Sequence, residues 1–239
     1  MKTHARSAFS LVELLVVVAV IAIVVGFAVP AANNLLRGSQ LTQGAQALGD
    51  TIAFARQTAL SRNRSIEVRF YRFGDLETPG ESTTNKATWQ FHGLQVFEIM
   101  ENGAALPINK MQRLPKMVIF SSAPTSTYVY STLICPALRG AFKDALLDKT
   151  TPEIPITYNN VSVGRKYEYT SFRFLQDGST DLPPSTIATT GGAGKPDDSW
   201  YVTLVGLNEN EKDINTINYY TLQIDPVSGA TKSYRPGGS

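Results

Sequence analysis

The pattern of apolar and polar positions divides this chain into three regimes. From Leu11 to Val29 every position is apolar except Glu13 and the small Gly26. As a helix, these 19 residues would span roughly 28 Å at about 1.5 Å each, close to the hydrocarbon thickness of a bilayer. Beyond Pro30 the apolar positions thin to a stripe: Leu41, Ala45, Leu48, Ile52, Ala55 and Ala59 recur every three or four residues. That spacing predicts one buried face of a continuing helix. Gln43, Gln46, Asp50, Arg56 and Gln57 occupy its other faces. Gly38, Gly44 and Gly49 interrupt it, each costing about 1 kcal/mol of helix propensity, and Pro30 removes one helical hydrogen bond, which predicts a kink.

From Ser65 the period switches to two. Ser65 to Phe73 alternates polar with apolar and predicts a half-buried strand. Further strands are expected over Ala87–Phe91, Leu94–Met100, Met117–Ser121, Tyr128–Ile134, Tyr167–Leu175, Trp200–Leu207, Tyr219–Ile224 and Ala230–Tyr234. Turns are expected at Pro79-Gly80, Glu101-Asn102-Gly103, Gln176-Asp177-Gly178 and Asp225–Gly229. A short helix is expected over Ala137–Leu147, with loops over 148–155 and over the Gly/Pro/Ser/Thr-rich 181–198. The expected fold class is α+β: one long N-terminal helix feeding an antiparallel β-sheet or sandwich. The boundaries are a leader at 1–8, an apolar helix half at 9–30, an amphipathic half at 31–62 and a β-rich head at 63–239.

Composition and charge narrow the setting. With 239 residues, 43% hydrophobic and 18% charged, the part beyond the helix is long enough for one buried core. Residues 1–72 hold eight basic and three acidic side chains, a net of +5, so the remainder is net −3. Lys2 and Arg6 stand before the apolar run with no acid among them, which places the N-terminus in the cytoplasm and the bulk of the chain outside. A signal peptide would be cut at a small-residue site after its apolar core. Here that place reads Ala28-Val29-Pro30-Ala31, the run exceeds the usual core length, and Glu13 lies inside it. All three points argue against ordinary cleavage. Glu13 is the anomaly: a carboxylate in a membrane helix costs on the order of 2.5 kcal/mol or more, which marks it as a functional candidate.

These residues resemble a known pattern. Ala8-Phe9-Ser10-Leu11-Val12-Glu13-Leu14 is similar to the processing motif of type IV pilins and type II secretion pseudopilins. In that family a small residue, usually glycine, precedes a phenylalanine, a glutamate stands four residues later, and a proline some twenty further on. Phe9, Glu13 and Pro30 occupy those places; Ala8 departs from glycine. Ala53–Asn63, Phe172–Gly178 and Ile224–Gly229 further resemble minor pseudopilins of the H type and their pilus counterparts, and the pilin-like group called Verru_Chthon cassette protein D. The stretch 75–155 matches nothing in that family.

The resemblance implies a structural subunit, not an enzyme. A prepilin peptidase and methylase would cut between Ala8 and Phe9 and methylate Phe9, and Glu13 would meet the charged N-terminus of a neighbouring subunit. The chain would sit in the bacterial inner membrane by a single pass, its head in the periplasm or on a fibre, among other pilin or pseudopilin subunits. The bulk of the head favours a minor subunit.

Other chemistry is poorly served. Gly191-Gly192-Ala193-Gly194-Lys195-Pro196 fails the phosphate-loop pattern at Thr189 and Pro196. His4 and His92 are the two histidines and Cys135 the one cysteine; no zinc spacing exists, no intrachain disulfide can form, and nothing local supports a Cys135–His92 nucleophile. Cofactors are not expected. Asp177, Asp181, Asp197 and Asp198 leave a calcium site open, since some pseudopilins have one, although solvated turn acids are the plainer reading. Nucleic acid is not an expected partner, because Lys212, Lys232 and Arg235 are the only basic residues after Trp200. The alternatives are a DNA-uptake-type minor pilin and a membrane-anchored envelope binding module.

Overall fold

The computed structural model describes residues 11–75, 78, 80–82, 85–122, 131–134, 143–146, 157–158, 161–162, 166–183, 200–207 and 218–235, with the backbone alone at 27–35, 86, 143–146, 157–158, 161–162 and 166. The chain divides into two compact units, Met1–Ser39 and Gln40–Ser239. One helix, α1 (Leu11–Arg62), contributes to both, and its backbone is helical through Pro30. It ends where Asn63 turns left-handed at φ 52°, the cap conformation that asparagine tolerates best after glycine.

Within the second unit all six stripe residues from Leu41 to Ala59 are buried. They pack on a sheet whose strands are β1 (Ile66–Phe73), β2 (Gln90–Ile99), β3 (Ala105–Pro107), β4 (Gln112–Arg113), β5 (Val118–Phe120), β6 (Lys143–Leu146), β9 (Lys166–Phe174), β10 (Trp200–Gly206), β11 (Tyr219–Ile224) and β12 (Thr231–Tyr234); β7 (Thr157–Tyr158) and β8 (Val161–Ser162) form a separate ladder. The order is β12-β11-β10-β5-β2-β1-β9-β6, with β3 and β4 added to β2, and every pair is antiparallel. The expected α+β class therefore holds, as a helix on one sheet. Ile66, Val68 and Phe70 face the helix and share its core with Leu94, Val96, Phe120, Phe172 and Trp200. Gly44 lets this packing come close: a Cβ there would stand 3.3 Å from Val118 Cγ1, which would have to give by a few tenths of an ångström.

Three strand expectations and one helix expectation change. Ala87–Phe91 and Leu94–Met100 are one strand, not two. The register steps from Tyr71↔Gly93 to Arg72↔Phe91, so His92 is an extra residue opposite β1. This bulge swaps the parity of the strand, which is how Phe91, Leu94 and Val96 all reach the same core. Lys86–Thr88 is a 3-10 turn. Of Tyr128–Ile134, the described Thr132–Ile134 is also a 3-10 turn. There side chains replace a strand: Ser131 Oγ accepts from Thr203 N at 2.8 Å and Thr132 Oγ1 from Tyr201 N at 2.7 Å. The helix expected over Ala137–Leu147 is overturned at Lys143–Leu146, which is β6 paired with β9; the remainder of that stretch, and 148–155, lie outside the described residues.

The expectation that β1 is half-buried also fails. Its outer face carries Glu67, only 3% exposed, because Ala105 and Met111 from the segment after β2 pack over Tyr71, Phe73, Phe97 and Tyr167. Asn109 fastens that segment, its Oδ1 accepting from Val96 N and its carbonyl from Gln95 Nε2, both at 2.9 Å.

Candidate assembly segment and the lock at the end of the helix

In the first unit, the described side chains of α1 show an apolar surface on every side. The large hydrophobics from Leu11 to Val25 are 48 to 79% exposed. A helix apolar all round is stable only when covered by lipid or by protein. The side-chain description of this run ends at Gly26, and among the described residues no helix is long and apolar enough to cross a membrane. Glu13 is the third described residue of α1 and the one charged side chain of its described apolar run, Leu11–Gly26. Ala8 and Phe9 lie outside the described residues; of Pro30 only the helical backbone is described.

Residues 3–29 match the family described as the prokaryotic N-terminal methylation motif. The match spans Ala8, Phe9 and Glu13 and ends one residue before Pro30. No curated protein matches the chain. Two solved structures are similar: the minor pseudopilin EpsH of the type 2 secretion system of Vibrio cholerae, at 8% identity over 83% of this chain and 99% of that one, and the type IV minor pilin FimU of Pseudomonas aeruginosa, at 12% identity over 84% and 95%. Both superpose with a TM-score of 0.39, too low to bear on fold or function.

In the head, two stretches singled out by resemblance come together in space. The Gly178 turn (φ +82°) and the Gly229 turn (φ +65°) meet beneath the last turns of α1. A Cβ at Gly229 would lie 2.0 Å from the Gly178 carbonyl oxygen, and one at Gly178 would lie 3.1 Å from Leu60 Cδ2. Arg56 Nη2 donates to Ser228 O at 3.1 Å, and Thr180 donates to Pro226 O through both its N and its Oγ1. Each turn is legible in the sequence as a turn; that the two form a single lock is not. The signal was the αL glycine in each, since close backbone approach is the other thing glycine permits.

The acids weighed for calcium serve turns. Asp177 Oδ1 accepts from the N and Oγ of Ser179, and Asp181 Oδ1 accepts from Arg173 N. Serine and backbone donors hold the Asp177 carboxyl below its ordinary value. Asp197 and Asp198 lie outside the described residues, and among those described no three metal-ligating side chains cluster. Cys135 and His4 are also outside. His92, the bulge residue, lies with Nε2 2.6 Å from Glu81 Oε1.

The sequence reading missed the buried charges of β1. Glu67 accepts from Arg69 Nε at 2.9 Å and lies 3.7 Å from Arg173 Nε. The Arg69 guanidinium is held between the rings of Phe97 and Tyr169, 4.0 and 4.6 Å from their centroids. Burial alone would raise the Glu67 carboxyl, but the Arg69 hydrogen bond and charge, with Arg173, leave it lowered from 4.5. Burial likewise pushes the adjacent Tyr71 hydroxyl up to about 12. A carboxyl lowered on folding contributes stability that is present above its unfolded value and lost as pH falls through the folded one. We expect the midpoint of thermal unfolding to drop as pH falls below about 4.5, and Glu67→Gln to flatten that part of the profile. A profile identical in the two proteins would remove Glu67 from the account.

Proposed function

We propose that the chain is a structural subunit, without catalytic activity, that is held in the inner membrane and then assembled through α1 into a type II secretion pseudopilus or a type IV pilus-like fibre. The observation that supports it most is the methylation motif over residues 3–29 placed directly on a helix whose apolar residues are exposed all round. The same helix then becomes amphipathic and carries a β head, so one element serves both as anchor and as scaffold. On this reading a prepilin peptidase hydrolyses the Ala8–Phe9 bond on the cytoplasmic side and Phe9 becomes the methylated mature N-terminus. Alanine at position 8 is the nearest substitute for glycine in size, so the cut remains sterically open. Glu13 then faces the amine of a neighbouring Phe9, which offsets the desolvation of both charges.

Mass spectrometry of the N-terminal peptide from the membrane fraction tests this directly. An N-methylated Phe9 start is the expected result. A mature chain that retains Met1 to Ala8 would overturn the reading and favour an uncut envelope anchor carrying a binding module.

A further inference from the structure

The strand β12 closes one end of the sheet, and among the described residues it pairs with β11 alone. All four of its residues are exposed. Its backbone alternates. Asp225 N donates to Ala230 O, which makes those two a hydrogen-bonded pair. In the same register Lys232 and Tyr234 then bond to β11, while Thr231 and Ser233 turn their N–H and C=O groups to the open edge. Thr231 and Ser233 stand opposite Ile224 and Leu222, which belong to the core beneath α1, so their side chains lie on the helix side of the sheet.

Beside this edge runs one flank of α1. Arg56 holds the Ser228 carbonyl at one end, and Arg235 Nη1 donates to Thr42 Oγ1 at 3.3 Å at the other. Between these contacts the flank carries only small groups at Gly49 and Ala53, and a Cβ on Gly49 would meet nothing within 4 Å. The result is a groove with two cavities. One of about 260 Å³ lies among Ile52, Ala53, Leu60 and Thr231; the other, of about 310 Å³, lies among Leu41, Ala45, Gly49 and Tyr220. Its cations have neutral partners: Arg56 a carbonyl, Arg235 a hydroxyl, and Lys232 the Tyr234 ring, 5.0 Å from its centroid. Asp50 is the one acid among the residues that line the two cavities.

An open strand edge is a template for another strand, and a lysine on it disfavours apolar or basic edges. We propose that this groove takes up an extended acidic segment of another polypeptide as an added strand along β12. Its backbone bonds to Thr231 and Ser233, its apolar side chains enter the two cavities, and its carboxylates lie beside Lys232 and Arg235. In such additions main-chain bonds give affinity and alternating pockets give specificity. The site lies wholly within the unit Gln40–Ser239, so it stands or falls apart from the fibre reading.

Full-length protein in detergent, titrated with a fluorescein-labelled peptide of alternating valine and glutamate, tests this by fluorescence polarisation. Saturable binding is expected. Lysine in place of glutamate should weaken it about tenfold or more, and a peptide N-methylated at every amide should not bind, because it has no donors for β12. Three variants of the protein report on the groove. Ser233→Pro deletes a donor from the open edge, where proline is tolerated, and should cost about tenfold in affinity at an unchanged unfolding midpoint. Lys232→Glu should shift the preference toward the lysine peptide by about tenfold. Gly49→Leu fills the groove while improving helix propensity, so binding should be lost from a protein at least as stable as before. No binding by the unsubstituted protein, binding of the N-methylated peptide, an unchanged preference in Lys232→Glu, or undiminished binding by Ser233→Pro or Gly49→Leu would each overturn the added strand. Equal binding of a heparin fragment would reduce the groove to a basic patch and overturn it as well.

Discussion

Gly229→Ala should lower the unfolding midpoint of the head by roughly 10 °C. Two costs add. Gly229 sits at φ +65°, where a residue with a Cβ loses about 1 kcal/mol or more. Its new Cβ would lie 2.0 Å from the carbonyl oxygen of Gly178, a backbone atom that cannot swing aside as a side-chain tip can. Forcing the turns apart strains the Thr180–Pro226 bonds and the Arg56 contact to Ser228, so a total of about 3 kcal/mol is expected, and a domain of this size shifts by about 2–4 °C per kcal/mol. Gly103 supplies the control. It has a similar φ of +81° but nothing within 4 Å of an added Cβ, so Gly103→Ala should show the conformational cost alone. Equal shifts for the two variants, measured by circular dichroism, would mean that the Gly178–Gly229 approach is not tight in solution.

Glu13→Ala should leave the head as stable as before and lower recovery in the fibre fraction by about tenfold or more. The head is a separate compact unit, Gln40–Ser239, so the substitution does not touch its core. The loss follows from the proposed partner: without the carboxylate, the amine of an adjacent Phe9 enters an apolar setting alone, and an unpaired buried charge costs about 3–5 kcal/mol. Glu13→Asp keeps the charge on a shorter stem and should recover part of the loss, whereas Glu13→Gln should not. Normal recovery of Glu13→Ala, with normal Phe9 processing, would detach Glu13 from assembly.

What was legible in the sequence was whatever repeats with a fixed period. The Leu41–Ala59 stripe named the buried face of α1 without a miss, because a 3.6-residue period sustained over roughly five turns fits a helix face and little else. The turns at Gly103, Gly178 and Gly229 were equally plain. What was not legible depends on partners far away in the chain. The bulge at His92 broke the period of β2 and so imitated a gap between two strands. Ser131 and Thr132 sit where a strand was expected, and only the positions of Tyr201 and Thr203 show that hydroxyls stand in for a ladder. Glu67 and Arg69 had the alternation of a solvated face, yet Glu67 is buried and Arg69 half-buried, because Arg173 and the rings of Phe97 and Tyr169 gather around them. In the opening segment the sequence motif carries more than the structure does, since Ala8 and Phe9 lie outside the described residues.

The place of β1 in the sheet sets an order for folding. Its first neighbour, β2, follows after residues 74–89, with Ile66 opposite Glu98; its second, β9, sets the same Ile66 opposite Phe174. Closing that second pairing requires residues 74–165 to be looped out, and such long-range pairings are slow to form. The last hairpin, β11–β12, carries Gly229 to the lock beneath α1. A chain emerging from its N-terminus can therefore form α1 and the β1–β2 pair early, but it cannot finish the head until β11 and β12 have arrived. The helix end stays open until the Gly178 turn reaches Leu60 and the Gly229 turn reaches Arg56, so the lock is the last part of the head that can close.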